Sequence, residues 1–420
     1  MSWWDSISED MFRQHFEAIE HIGYKPETGG YRRPSYSPLE SEVMAHFLSH
    51  AEHLGLEAFH DEVGNLIILK RGDIRKKIVI GSHCDSVGNG GNYDGTAGVA
   101  AGLVILEAMQ KAGVKHQFDI QVMGMRAEES EWFGTTYIGS KAAFGLLKPE
   151  DLEKIRKESQ KKLADYLISM KIDINDIKSG RPTIQKNDIE CYIEPHIEQY
   201  SILLEKDLPV GIVTGIRGNK RHKNIEFKGK YGHSGAMPMD KRNDAVLTFT
   251  EIGAKMDKQC TKYNDEGLDL VFSFGEAHTD PDMHGITKVP GYFRTALDIR
   301  STHSQTLRDF YEFFLNVSDV ACKRRGVELS LMDFYESPPA IMDEDIVSRL
   351  AHAASEIEVP YQYMPSGAGH DAAVFANAGI PTAMIFFRHN GISHKPEEEF
   401  EYESGVLGTR VIAKFIDSYH

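Results

Sequence analysis

Three absences narrow this 420-residue chain before any motif is read. Cysteine is scarce: Cys84, Cys191, Cys260 and Cys322 lie far apart and make no CxxC pair. That excludes a zinc-ribbon site and fits a reducing compartment. Positive charge is in deficit, since 47 Lys and Arg against 63 Asp and Glu leave a net charge of −16. A surface of that sign does not suit nucleic acid as a partner. Long apolar runs are missing too. No stretch approaches the length that crosses a bilayer, and the N-terminal "MSWWDSISEDMFRQHF" is acidic and amphipathic, without the apolar core of a signal sequence. The expectation is a soluble, cytoplasmic protein that binds neither nucleic acid nor membrane.

What is present suits one large or two ordinary domains: 41% of residues are hydrophobic, enough for a sizeable core. Helical spacing runs over 10–23 and 39–55, each ending at a glycine, and over 95–113. Short apolar strands are expected at "KKIVIGSH", 117–129, 189–199 and 381–394. This alternation predicts an α/β fold with a mostly parallel sheet. From 211 to 329 the order changes to strand, helix, strand, strand, helix, strand, which is the ferredoxin-like βαββαβ plan. The chain therefore reads as one domain, 1–210 with 330–420, interrupted by a second at 211–329. Segment 150–188 is charged, helical and then polar, and reads as a surface excursion.

Several strands end on the same kinds of residue. "IVIGSHCD" ends on His83 and Asp85, "MGMRAEES" on Glu128 and Glu129, "CYIEPHIEQ" on His196, and "IFFRHNGISH" on His394. In an open α/β sheet the carboxyl ends of the strands line the ligand crevice. Asp94 lies in the glycine-rich loop "NGGNYDG" after the first of these strands. Imidazole and carboxylate together suit zinc, manganese, cobalt or nickel, and a bridging carboxylate lets such a set serve two ions. Taken singly, each residue has a plainer reading: a hydrogen-bonded loop histidine, a solvated acidic pair, a glycine turn.

The stretches "GSHCDSVGNGGNYDG", "RAEES", "EPHIEQ", "GHSGAMPM", "VPG", "LDIR", "SGAGHDA" and "GISHKPEE" run in order from about residue 60 to residue 400. In these the chain resembles the M20 family of dinuclear metallo-amidohydrolases. The resemblance is to the hydantoinase/carbamoylase branch, which includes N-carbamoyl-L-amino acid hydrolases, allantoate amidohydrolase and β-ureidopropionase. It implies two divalent metal ions per subunit, Zn2+ or Mn2+ with Co2+ or Ni2+ as further choices. One would be held by His83, Asp94 and His196, the other by Asp94, Glu129 and His394. Asp85 would orient His83, and Glu128 would be the general base. His233 of "GHSG" would stabilise the oxyanion, in relatives often across a dimer interface. Gln199, Arg300, Thr287, Gly369 and His370 would bind a small substrate, with Arg300 gripping its carboxylate. The inserted domain would act as a lid and join two subunits as a homodimer.

The implied activity is hydrolysis of a non-peptide C–N bond in a small carboxylate-bearing substrate such as an N-carbamoyl or N-acyl amino acid. Alternatives are an aminopeptidase or dipeptidase of the same broad group, or a binding protein that kept the fold and lost catalysis. Two departures bear on the substrate. Thr287 stands where characterised relatives carry an asparagine that contacts the scissile group, and "EESEWF" brings in Trp132. A hydroxyl cannot offer both a carbonyl and an amide NH2.

Overall fold

The structure, a computed structural model, describes residues 2–420. Contacts divide the chain into two compact units, one running up to Thr214 and resuming over Ile341–His420, the other Gly215–Ala340.

The first unit is built on a nine-stranded sheet. Its order is Ala340–Ile341, Val210–Ile216, Thr382–Phe387, Ile189–Ile197, Ile74–His83, Phe118–Met125, Leu66–Lys70 and Glu57–His60, with Tyr361–Ser366 also paired to Val210–Ile216. The four middle strands are mutually parallel. The pairs 57–60 with 66–70, 66–70 with 118–125, and 210–216 with 382–387 are antiparallel. The sheet is therefore mixed rather than mostly parallel. The cause is local: residues 61–65 close a short turn with Gly64 at φ 89°, and so short a link can join only antiparallel strands.

The parallel core strands are rich in apolar residues, and every residue of Phe118–Met125 is buried, as expected of strands covered on both faces. Register aligns their carboxyl ends: His83 pairs with Met125, and His196 with Phe386. The crossover helix Thr96–Lys111 is buried from Thr96 to Met109. Its small residues let it sit close to the sheet, since a Cβ on Gly98 would lie 2.0 Å from the Pro195 carbonyl oxygen.

Segment 150–188 is more than a surface excursion. It carries the short helices Leu163–Ser169 and Ile174–Lys178, preceded by Pro149–Leu152. Leu152, Leu163, Leu167, Ile172 and Ile177 are buried against Tyr36, Val63, Trp132 and Phe133. These apolar positions, separated by charged residues, form a satellite core that encloses Trp132.

The second unit is a five-stranded sheet ordered Val271–Ser273, Tyr292–Ser301, Gly218–Lys228, Glu328–Ser337, with Ala277–His278 also on Tyr292–Ser301. Helices Ala245–Asp265 and Ser304–Arg325 pack on one face of this sheet, where Phe227, Leu297 and Ile299 from the strands and Phe310 and Phe314 from the second helix are buried. Tyr292–Ser301 alternates buried and half-buried residues, the pattern of a sheet with one packed face. Glu328–Ser337 is an edge strand and mostly exposed. Among the described residues no helix is long and apolar enough to cross a membrane.

Candidate metal centre

Three of the parallel strands deliver the site. His83 closes the first, Glu128 and Glu129 follow the second by a short turn, and His196 is the penultimate residue of the third. His394 lies on the loop after the fourth. Asp94 precedes the helix Thr96–Lys111, whose positive N-terminal end favours a carboxylate. Between them Gly95 adopts φ 65°, and a Cβ there would lie 2.4 Å from His83 Cε1. Only glycine lets the turn lie against the imidazole.

Asp94 is the hub. Its Oδ1 lies 3.1 Å from His196 Nε2 and 3.7 Å from His83 Nε2, while its Oδ2 lies 2.9 Å from His394 Nε2. His394 Nε2 is in turn 3.4 Å from Glu129 Oε1. Two triads result, His83–Asp94–His196 and Asp94–Glu129–His394, and the ligand atoms within each lie inside 4.8 Å of one another.

The tautomers show what the first triad can hold. His83 Nδ1 donates to the Asp85 carbonyl at 3.1 Å, and His196 Nδ1 to the Ile197 carbonyl at 2.9 Å. Both Nε2 atoms then present lone pairs, and they face each other at 3.5 Å. Asp94 Oδ1 is buried beside them without a hydrogen-bond donor. Three converging acceptors with no proton among them repel one another and suit a cation. The residues present therefore fit a divalent metal ion.

Asp85 organises the surroundings. Its Oδ1 accepts the Glu128 N–H at 3.0 Å and lies 3.4 Å from His83 Nδ1, while its Oδ2 accepts the Glu129 N–H at 3.3 Å and the Ser35 hydroxyl at 2.5 Å. The turn before Glu128 is strained, with Ala127 at φ 55°. It is pinned by Glu40, which accepts from Ala127 N at 3.0 Å and from Arg126 Nη1 at 2.6 Å. Gln199 and His394 are likewise left-handed, at φ 65° and 59°. Such backbone costs about 1–3 kcal/mol per residue and clusters at functional sites.

Electrostatics separate the carboxylates. Burial opposes charge on Asp94, but the imidazoles of His196, His394 and His83 gathered around it outweigh burial and hold it well below the usual carboxylate range. Burial pushes Glu128 well above that range, with Glu129, Asp371 and Asp85 adding to the effect. Burial and the neighbouring Asp94 raise Glu129 to about 8. Such an excess of buried negative charge is what bound cations neutralise.

The expected substrate residues fall into two groups. Gln199 reaches the centre, its Nε2 donating to Asp94 Oδ2 at 2.9 Å. His370 packs edge-on against His196 with ring centroids 4.5 Å apart, and its Nε2 pairs with Ser366 Oγ at 2.9 Å. Gly369 adjoins His370, and a Cβ there would strike the Tyr137 hydroxyl. His233, Thr287 and Arg300 belong to the second unit. There His233 and Thr287 lie side by side: Ser234 N donates to the Thr287 carbonyl at 2.8 Å, and His233 pairs with Lys288. Arg300 holds Asp298 Oδ2 through Nε at 3.0 Å and Nη2 at 2.9 Å.

Sequence reasoning missed Glu398, Asp371 and Glu194. Glu398 Oε1 accepts the N–H groups of Tyr93 and Asp94 at 3.1 Å each, fixing the loop that carries the hub. Glu194 is wholly buried on the strand that carries His196, and accepts the Ala372 N–H at 2.6 Å. The clue to Glu398 was its place in "GISHKPEE", and the clue to Glu194 was an acidic residue within an apolar strand.

Comparison with known proteins defines the family. Residues 79–418 match peptidase family M20/M25/M40, and the chain belongs to that family. It is 31% identical over 414 residues to an N-carbamoyl-L-amino-acid amidohydrolase of Pseudomonas sp. (strain NS671), covering 98% of each chain. It is 30% identical to the allantoate amidohydrolase of Escherichia coli (strain K12), covering 96% of this chain and 97% of that one. A solved amidase of the hydantoinase/carbamoylase family from Burkholderia phymatum superposes with a TM-score of 0.84 at 27% identity, covering 97% of this chain and 96% of that one.

Proposed function

We propose that this chain is a dinuclear metal-dependent hydrolase that cleaves a non-peptide C–N bond, amide or ureido, in a small carboxylate-bearing substrate such as an N-carbamoyl or N-acyl amino acid. The observation that carries the metal centre is Asp94, a buried carboxylate with one oxygen toward His83 and His196 and the other toward His394. The similarity to amidohydrolases over nearly the whole chain supports the bond class.

His83, Asp94 and His196 would hold one divalent ion, and Asp94, Glu129 and His394 the other, Zn2+ or Mn2+ with Co2+ or Ni2+ as substitutes. Such ions would supply an acidified water and a Lewis acid for the scissile carbonyl. Asp85 keeps His83 oriented and anchors the peptide groups of both glutamates. Glu128 takes a proton as general base and returns it to the leaving nitrogen. His233 stabilises charge developing on the carbonyl oxygen, and Arg300 grips the substrate carboxylate through its planar fork, which suits two parallel hydrogen bonds. Gln199, Gly369 and His370 line the substrate, and Thr287 replaces an amide with a hydroxyl where the acyl group is selected.

The second unit serves as lid and as dimer contact. Its edge strand Glu328–Ser337 leaves Met332, Phe334 and Tyr335 at 36%, 43% and 50% exposure, and an open apolar edge is a pairing surface. A homodimer at micromolar concentration in sedimentation is the expected result, and a strict monomer contradicts this part.

The activity is tested on metal-reconstituted enzyme with N-carbamoyl amino acids, N-acyl amino acids, allantoate and dipeptides, measuring ammonia, amine and free amino acid. Release from the first three classes with dipeptides inert supports the reading. Turnover confined to dipeptides overturns it.

A further inference from the structure

A second constellation of metal-binding side chains lies in the first unit, made of none of the residues above. His15 comes from the helix Glu9–Ile19, His46 and His50 from Pro38–His53, and Glu107 from the last turn but one of Thr96–Lys111. His46 and His50 are four residues apart, so one helix face presents both. The ligand atoms of His15, His50 and Glu107 lie within 4.8 Å of one another. His15 Nδ1 is 3.0 Å from His46 Nε2, and His50 Nε2 is 2.9 Å from Glu107 Oε2. Gln14 Nε2 donates to Glu107 Oε2 at 3.4 Å, and Lys111 Nζ donates to Glu107 Oε1.

The informative atom is His15 Nε2. His15 is 0% exposed, and this nitrogen is buried without a hydrogen-bond partner. Neither tautomer removes the problem. With the proton on Nε2 a donor is stranded in the core; with the proton on Nδ1, donated to His46, a lone pair is stranded. An unmet buried polar group costs about 1–3 kcal/mol. A cation beside His50 and Glu107 resolves it: Nδ1–H donates to His46 and Nε2 becomes a ligand. A ligating imidazole whose other nitrogen donates to a fixed acceptor is the usual arrangement at metal sites.

The donor set agrees. His15 is buried with the His46 and His50 rings 5.2 and 4.6 Å from its own, centroid to centroid, and Glu107 has His50 on one oxygen and Lys111 on the other. Two imidazoles and one carboxylate favour a first-row transition ion over Mg2+ or Ca2+.

We propose that His15, His50 and Glu107 bind one divalent transition-metal ion, Zn2+ or Ni2+, as a structural clamp joining three helices of the first unit. His46 is the positioning residue that fixes His15. The proposal does not rest on the Asp94 centre, and the two fail separately.

The test begins with protein stripped by chelator, reloaded with zinc alone and desalted, with zinc per chain measured by mass spectrometry. His50→Gln and Glu107→Gln should each bind one equivalent less than wild type, with turnover after reloading within about twofold. Wild-type zinc content in either folded variant overturns the proposal. Should neither variant fold, the wild type decides. Zinc should protect His50, 23% exposed at its side chain, from diethylpyrocarbonate, read by peptide mapping. Equal modification with and without saturating zinc overturns it. Activity lost on changing Asp94 with this equivalent retained would separate the two centres.

Discussion

The Asp85 carboxylate accepts the backbone N–H of Glu128 at 3.0 Å while lying 3.4 Å from His83 Nδ1. One buried side chain thus ties the end of one parallel strand to the turn that follows its neighbour. Asp85→Ala should loosen both and lower metal affinity or turnover by about 10–100-fold. Asp85→Asn should do less harm at Glu128, because it keeps one acceptor oxygen, yet its amide would face the Glu129 N–H. Equal effects of the two changes in a metal-binding titration would contradict this division.

The neighbouring carboxylates should separate by function. Glu128→Gln keeps shape and removes the basic site, so kcat should fall by about 10²–10⁴-fold with metal content unchanged. Glu129→Gln should lower metal content. Kinetics with metal analysis on the same preparations check both, and the opposite pattern would reverse the assignment.

Gly95 offers a test of packing. Gly95→Ala places a Cβ 2.4 Å from His83 Cε1 at a backbone φ of 65°. Left-handed backbone alone costs about 1–2 kcal/mol for a residue with a Cβ, and the imidazole must also move. The variant should melt below wild type and bind metal more weakly. Unaltered metal affinity would show that the ring does not need this glycine.

How far the sequence carried depends on whether a residue's role was local. His83, His196 and the Glu128–Glu129 pair announced themselves because each follows a short apolar run, and parallel register then aligns those run ends. The strands 57–60 and 66–70 went unread because their link, 61–65, is too short for the helical crossovers that set the expected rhythm. The excursion 150–188 hid its core role: Leu163, Leu167 and Ile177 sit among lysines and aspartates, and their packing on Trp132 depends on distant chain. Of the His15 group only the four-residue spacing of His46 and His50 shows in the sequence, since His15 and Glu107 come from two other helices.

Acid should weaken the fold through His15. Burial lowers it from 6.5 to about 3, so below about pH 6.5 the unfolded chain binds a proton the folded chain refuses. Stability from this group is therefore complete above pH 6.5 and is lost as pH falls toward 3, with a slope of at most about 1.4 kcal/mol per pH unit. Urea midpoints between pH 7 and pH 4 should fall less steeply in His15→Phe than in wild type, measured on chelator-treated protein. Parallel slopes would mean that His15 takes no part in acid unfolding.

The most direct test of the central claim is a metal titration of stripped enzyme, following hydrolysis of an N-carbamoyl amino acid while counting bound metal at the Asp94 centre with His50→Gln as the background. Turnover should be absent without metal, return with Mn2+ or Zn2+, and saturate at about two equivalents per chain, the number a bridged two-ion site requires. Asp94→Ala should neither bind those ions nor turn over. Full turnover by metal-free protein, or by Asp94→Ala, would contradict the account.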